Sequence, residues 1–277
     1  MMKMSLASFF VLLIPLLLSC SSGPMASVER SAIYHPNRCE QYAFTDPADA
    51  AREVVFHSAD GTQLHGVYYA APKPGPRTVL LFLHGNAGDL VGRLPVAKKL
   101  QRDCNASVLV FDYRGFGRSE GTPNEKGLIA DARAAKKWLA AKEGVQPGDI
   151  VLMGRSLGGG VAVGLASEDG AKALVLQSTF ARISNVGSKM FWGLPVRWMM
   201  NDKFDSVDKI ANYGGPLLHS HGDADTLIDY SEGEELFAAA KGPKEFFRCV
   251  GGGHNTPQPP AYYSKLAGFL ATHGRVR

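Results

Sequence analysis

Ser156 stands in Gly154-Arg155-Ser156-Leu157-Gly158, between the apolar run Ile150 to Met153 and a small-residue segment from Gly159 to Ala166. A strand, a sharp turn and a helix in that order make the pattern a nucleophile elbow rather than a chance pairing of common residues. Such a turn strains the serine backbone, and a bulky neighbour would collide across it. Gly154 and Gly158 leave the room. A neutral hydroxyl is a weak nucleophile unless a base lies within hydrogen-bonding reach. His254, in Gly251-Gly252-Gly253-His254-Asn255, is the candidate base. Asp225, in His221-Gly222-Asp223-Ala224-Asp225, is the candidate acid that would accept the other ring N–H and fix the tautomer. The nearby Asp223 and Asp229 read as loop-ordering or helix-capping groups. The backbone N–H of Leu157 and that of Asn86, in His84-Gly85-Asn86-Ala87-Gly88, complete the set as donors to a tetrahedral oxyanion. His84 reads as a support for that loop. The predicted chemistry is acyl transfer to Ser156 followed by hydrolysis, with no metal and no organic cofactor.

Distant loops meet only if the elements between them carry them to one edge. Glu53 to His57 and Leu64 to Ala70 read as a hairpin around Ala59-Asp60-Gly61-Thr62. Thr78 to Leu83 is uniformly apolar, as a strand covered on both faces must be. Beyond it strands at Ser107–Asp112, Ile150–Met153, Ala173–Gln177, Pro216–His219 and Phe246–Val250 alternate with helices at Leu94–Asp103, Asn124–Lys142, Glu232–Ala240 and Ala261–Thr272. The second of these helices turns Leu128, Ala132, Ala135 and Leu139 to one face. This order predicts a mostly parallel, doubly wound α/β sheet opened by an antiparallel hairpin, with its sites at the carboxyl ends of the strands.

The chain order Ser156, Asp225, His254 is that of an α/β-hydrolase. Together with His84-Gly85-Asn86-Ala87, Asp112-Tyr113-Arg114-Gly115-Phe116-Gly117-Arg118-Ser119, the elbow, His221 to Asp229 and Gly253-His254-Asn255, it resembles the Bem46-like group, which includes ABHD17- and ABHD13-type serine hydrolases. The resemblance runs from about Val54 to the end and implies an α/β-hydrolase fold and a serine hydrolase acting on carboxylic esters or thioesters. A serine peptidase or phospholipase on the same triad, and a catalytically silent binding lipoprotein, remain the rival readings. Asp112 to Ser119 reads as a structural loop beneath the site.

The amino terminus reads as a processing signal over residues 1–19. Lys3 precedes an apolar stretch, Leu6 to Leu18, that is too short to span a bilayer, and Leu16-Leu17-Leu18-Ser19-Cys20 ends it. It looks like a bacterial lipobox, which implies cleavage before Cys20 and lipid on its sulfur. An ordinary signal peptide cut near Ser22 or Gly23, or an uncleaved anchor, is the alternative. Ser21 after the cysteine resembles the subset sorted to the outer membrane, so a lipid-anchored protein facing the periplasm is expected. Here the chain departs from the ABHD17-type proteins, whose cysteine-rich palmitoylated region is replaced by a single cysteine. Residues 20–48 are polar with scattered prolines and read as a tether and irregular arm, followed by one hydrolase domain over 49–277.

Among 277 residues the net charge is only +4, with Lys and Arg scattered rather than blocked, which argues against nucleic-acid binding. Cys39, Cys104 and Cys249 are an odd set, so at most one disulfide forms within the mature chain. His219-Ser220-His221-Gly222-Asp223 resembles part of a metallo-β-lactamase signature, but Ala224 stands where the next histidine should be. The stretch of about 180–212 is longer than a connection needs and reads as a short lid. Its Met190, Phe191, Trp192, Trp198 and Met199 are candidates to line an acyl pocket or meet a lipid-like substrate.

Overall fold

The computed structural model of the chain describes residues 24–38, 51–190 and 200–276. A helix, α1 (Pro24–Ile33), and a two-residue strand, β1 (His35–Pro36), come first. Strands β2 (Ala51–His57), β3 (Gln63–Tyr69), β4 (Arg77–Leu83) and β5 (Ala87–Gly88) follow. Next come α2 (Leu94–Cys104), β6 (Ala106–Phe111), α3 (Glu125–Glu143), β7 (Val151–Arg155), α4 (Leu157–Asp169) and β8 (Leu174–Gln177). The chain continues through α5 (Ile183–Met190), α6 (Ser206–Ile210), β9 (Leu217–Gly222) and α7 (Tyr230–Ala239). It closes with β10 (Lys244–Cys249), α8 (Pro260–His273) and β11 (Arg275–Val276).

The main sheet runs β10-β9-β8-β7-β4-β6-β3-β2, with β11 antiparallel to the start of β4. Every pairing from β10 through to β6 is parallel, and β3 and β2 add the antiparallel hairpin. Strand β4 shows why its sequence is apolar throughout. Leu81 and Leu83 face one core layer, shared with Leu128, Ala132, Ala135 and Leu139 of α3 and Val161 and Leu165 of α4. Leu80 and Phe82 face the other, shared with Leu100 of α2 and Leu266 and Phe269 of α8. Successive side chains point to opposite faces, so a strand between two helical layers has no polar side. Each large side chain taken fully from water contributes about 1.5–3 kcal/mol, so the sheet's centre is a rigid platform.

Local signals fix the ends of α3: Asn124 Oδ1 accepts from Gly127 N–H at 2.8 Å, and Gly144 ends the helix at φ 67°. The predicted parallel sheet, hairpin and helices all form. Two readings change. Strand β9 runs on to Gly222, beyond the expected His219, because His219 and Ser220 are buried and paired in register with both β8 and β10, and the buried His221 continues the pairing with β10. Part of the expected irregular arm is α1, whose order comes from tertiary contacts that a polar composition hides. Glu29 accepts from the backbone N–H groups of Asn201 and Asp202 at 2.7 and 2.8 Å, and the buried Tyr34 donates its hydroxyl to Asp202 Oδ2 at 2.8 Å.

The stretch read as a lid holds α5 and α6, with Phe180, Ala181, Phe204 and Ile210 buried in the core. Met190 ends α5, whereas Phe191, Trp192, Trp198 and Met199 lie outside the described residues, as do Cys20, Cys39 and the segment 1–19. Cys104 and Cys249 are free thiols. Among the described residues no helix is long and apolar enough to cross a membrane.

Candidate active site

Ser156 sits at the turn between β7 and α4 with φ 53° and ψ −122°, a conformation that a non-glycine residue holds only where its surroundings impose it. The surroundings here are close. A Cβ on Gly158 would lie 2.1 Å from the Leu83 carbonyl oxygen, and one on Gly154 would lie 2.3 Å from that of Gly158. The turn is held by Ser156 N–H donating to the Gln177 carbonyl at 2.9 Å and Thr179 Oγ1 donating to the Ser156 carbonyl at 2.7 Å.

The structure brings the three sequence-predicted side chains together. His254 Nε2 is 3.1 Å from Ser156 Oγ, and His254 Nδ1 is 2.8 Å from Asp225 Oδ2. An ionised carboxylate only accepts, so Nδ1 carries the ring proton and Nε2 presents its lone pair to the serine hydroxyl. Asp225 is fully buried at its side chain while His254 keeps an 11% exposed edge. Burial pushes the Asp225 carboxyl up, but hydrogen bonds from His221, His254 and the Ile228 N–H outweigh it and hold the group well below the usual carboxylate range. Its other oxygen, Oδ1, accepts from the Leu227 and Ile228 N–H groups at 3.0 and 2.9 Å.

The loop His84–Gly88 reaches the same place. A Cβ on Gly85 would lie 3.4 Å from Ser156 Cβ and 4.0 Å from its Oγ, so this backbone passes directly beside the Ser156 hydroxyl. Leu157 is the first residue of α4, where an N–H has no partner within the helix. His84 is buried beneath the loop, its Nδ1 donating to the Gly85 carbonyl at 2.8 Å. Asp223 behaves as read, tying the histidine loop down by accepting from Gly251 N–H at 2.6 Å and Arg248 Nε at 2.8 Å. Asp229 immediately precedes α7 without a side-chain capping bond.

Two residues of the site escaped the sequence reading. His221, weighed only as a metal ligand, donates Nε2–H to the Ile228 carbonyl at 3.0 Å and lies 3.5 Å from Asp225 Oδ2. Its place four residues before Asp225, at the end of a strand, was the available signal. Arg155 donates Nη2–H to the His254 carbonyl at 2.8 Å and to Asn255 Oδ1 at 3.1 Å, fastening the histidine loop to the elbow. Among the described residues no group of three or more His, Cys, Asp or Glu side chains is arranged to hold a metal ion.

Buried imidazoles around the site make stability sensitive to acid. Burial pushes His84 down to about 4, and burial with the neighbouring His221 pushes His219 down to about 3. Both groups are neutral when folded and protonate near 6.5 when unfolded. The unfolded state therefore binds more protons below pH 6.5, and stability falls as pH drops from there toward the folded values. Between pH 7 and pH 5 the loss is about 2 kcal/mol per histidine. Urea melts at the two pH values check this: His219→Leu is expected to lose about 2 kcal/mol less than the wild type over that range. An equal loss in both proteins would remove His219 as a cause.

The chain belongs to the α/β-hydrolase family: residues 78–266 match the model for the alpha/beta hydrolase fold. Its relatives are spread across bacteria and vertebrates. It is 39% identical to the uncharacterised protein Rv2307c of Mycobacterium tuberculosis over 84% of this chain and 82% of that one. It is 33% identical to alpha/beta hydrolase domain-containing protein 17C of Mus musculus over 80% of this chain and 68% of that one, which bears out the Bem46-like resemblance. Among solved structures the esterase Pf2001 of Pyrococcus furiosus superposes with a TM-score of 0.71 at 22% identity, covering 87% of this chain and 98% of that one, and shares its fold.

Proposed function

We propose that the chain is a serine hydrolase that cleaves carboxylic esters or thioesters through an acyl-enzyme on Ser156. One observation carries the reading: a continuous hydrogen-bonded line runs from Ser156 Oγ through both nitrogens of His254 to a buried, ionised Asp225. His254 Nε2 takes the hydroxyl proton as Oγ attacks the acyl carbon, and Asp225 stabilises the imidazolium that forms. Leu157 N–H and Asn86 N–H receive the developing oxyanion. The same proton then goes to the departing alkoxide or thiolate. Water, deprotonated by His254, releases the acid in a second passage through the same geometry. The Pyrococcus furiosus neighbour is described as an esterase, which agrees with this reading.

Purified protein is expected to take up a fluorophosphonate probe at Ser156 and to hydrolyse p-nitrophenyl acetate and an acyl thioester, with Ser156→Ala inert to all three. No labelling would leave the silent-lipoprotein reading standing, and cleavage of peptide amides alone would replace the esterase with a peptidase. The lipobox motif supports attachment to an envelope membrane through Cys20. Cys20→Ser is then expected to move the protein from the detergent phase to the aqueous phase, and unchanged partitioning would overturn the anchor.

A further inference from the structure

The amino-terminal arm touches the site at the loop on which the oxyanion chemistry depends. His35 N–H donates to Asn86 Oδ1 at 3.0 Å, and β1 pairs in parallel with β5, His35 opposite Ala87 and Pro36 opposite Gly88. Asn37 continues the contact: its N–H donates to the Gly88 carbonyl at 3.2 Å and its Nδ2 to Asp89 Oδ2 at 3.2 Å. The arm is itself anchored on two sides. Gly117 N–H donates to the Asn37 carbonyl at 2.8 Å and Arg38 Nη1 to the Ser119 carbonyl at 2.6 Å, which binds it to the loop after β6. On the other side Glu29 and Tyr34 hold it to Asn201 and Asp202. The loop 84–89 lies outside the main sheet's ladder, and Gly88 turns it at φ 82°, which favours glycine. A donor for a transition state is worth most when it is fixed before reaction.

We propose that His35 to Asn37 form a positioning strap for the acyl-transfer site, holding Asn86 by its side chain so that its backbone N–H stays aimed at the oxyanion. The proposal rests on the serine-hydrolase reading above. Asn86 then has two duties on one residue: its amide N–H meets the reacting group and its side-chain oxygen receives the strap. The backbone of His35 to Asn37 thereby supports the site from outside it rather than serving as a spacer. Misplacing a reacting or stabilising group by about an ångström can cost on the order of a hundredfold in rate, and losing a donor outright costs about a hundred- to thousandfold.

The strap bond uses a backbone donor, which allows a clean pair of variants. His35→Ala keeps the N–H, whereas His35→Pro deletes it. With p-nitrophenyl acetate, His35→Pro is expected to lose about tenfold or more in kcat with KM changed less than about twofold, and fluorophosphonate labelling of Ser156 should slow in parallel. His35→Ala should match the wild type. Asn86→Ala removes the acceptor from the other side while keeping the Asn86 backbone N–H, and should reproduce the loss. Combining His35→Pro with Asn86→Ala should give no further loss, because both break one bond. Wild-type kcat in His35→Pro, or losses that multiply in the double variant, would overturn the strap alone. A wild-type protein that neither labels nor hydrolyses the ester would overturn the acyl-transfer reading and the strap with it.

Discussion

Asp225→Asn is expected to lower kcat for a small ester by about ten-thousandfold while leaving KM within a few fold. The carboxamide keeps the shape of the carboxylate, yet its NH2 can turn toward His254 Nδ1 and force the ring proton to Nε2, where it faces Ser156 Oγ and no base remains. Under the proposed mechanism the buried carboxylate also faces the imidazolium that would form during attack, at 2.8 Å from Nδ1. His254→Ala should cost more, about a millionfold, because it removes the proton acceptor itself. The two losses must not multiply: Asp225 acts through His254, so the double variant should resemble His254→Ala alone. Asp223→Asn is the control, since Asp223 contacts Arg248 and the Gly251 N–H rather than His254. Steady-state kinetics on p-nitrophenyl acetate reads all four variants. A large drop in Asp223→Asn with Asp225→Asn near wild type would assign the acid to the wrong aspartate.

The grouping of Ser156, Asp225 and His254 was legible because its signals are local. A strand-turn-helix around Ser156 and glycine-rich loops before Asp225 and His254 are patterns a sequence states directly, and the alternation of strands and helices orders them along one sheet edge. What could not be read are partnerships between residues with no periodic relation. Nothing around Glu29 announces that Asn201 and Asp202 await it 172 and 173 residues away, so α1 looked like tether. His221 read only as half of a metal motif, and its support of the Asp225 loop shows only in its 3.0 Å bond to the Ile228 carbonyl and its 3.5 Å approach to Asp225 Oδ2. The buried histidines of β9 misled in a different way. Polar residues argue against a central strand, yet β8 and β10 flank β9 in the ladder, and burial keeps the His219 imidazole neutral.

The Asp112 to Ser119 motif shows the same limit at the level of stability, and its largest test is Asp131→Ala, expected to destabilise the fold by about 3–5 kcal/mol. Asp131 is completely buried on α3 and faces Arg114. Its oxygens accept from Arg114 Nη2 at 2.7 Å, from Nε at 3.0 and 3.1 Å, and from the Arg114 backbone N–H at 2.9 Å. The guanidinium lies so close to α3 that a Cβ on Gly127 would come within 2.5 Å of Arg114 Cδ. Removing the carboxylate therefore leaves a charge in a space too tight to turn away from and a backbone donor without its acceptor. Asp60 also meets Arg114, at 2.9 Å, but its side chain is 55% exposed. Water replaces what Asp60→Ala removes, so that variant should lose less than about 1 kcal/mol. Urea denaturation at pH 7 compares the two directly, and equal losses would mean that the Arg114–Asp131 pair is no more than a surface contact. If the gap appears, the arginine in Asp112-Tyr113-Arg114-Gly115 is there to bolt the loop after β6 to α3. That loop in turn receives Asn37 and Arg38, so the anchor under the fold and the strap over the site share one support.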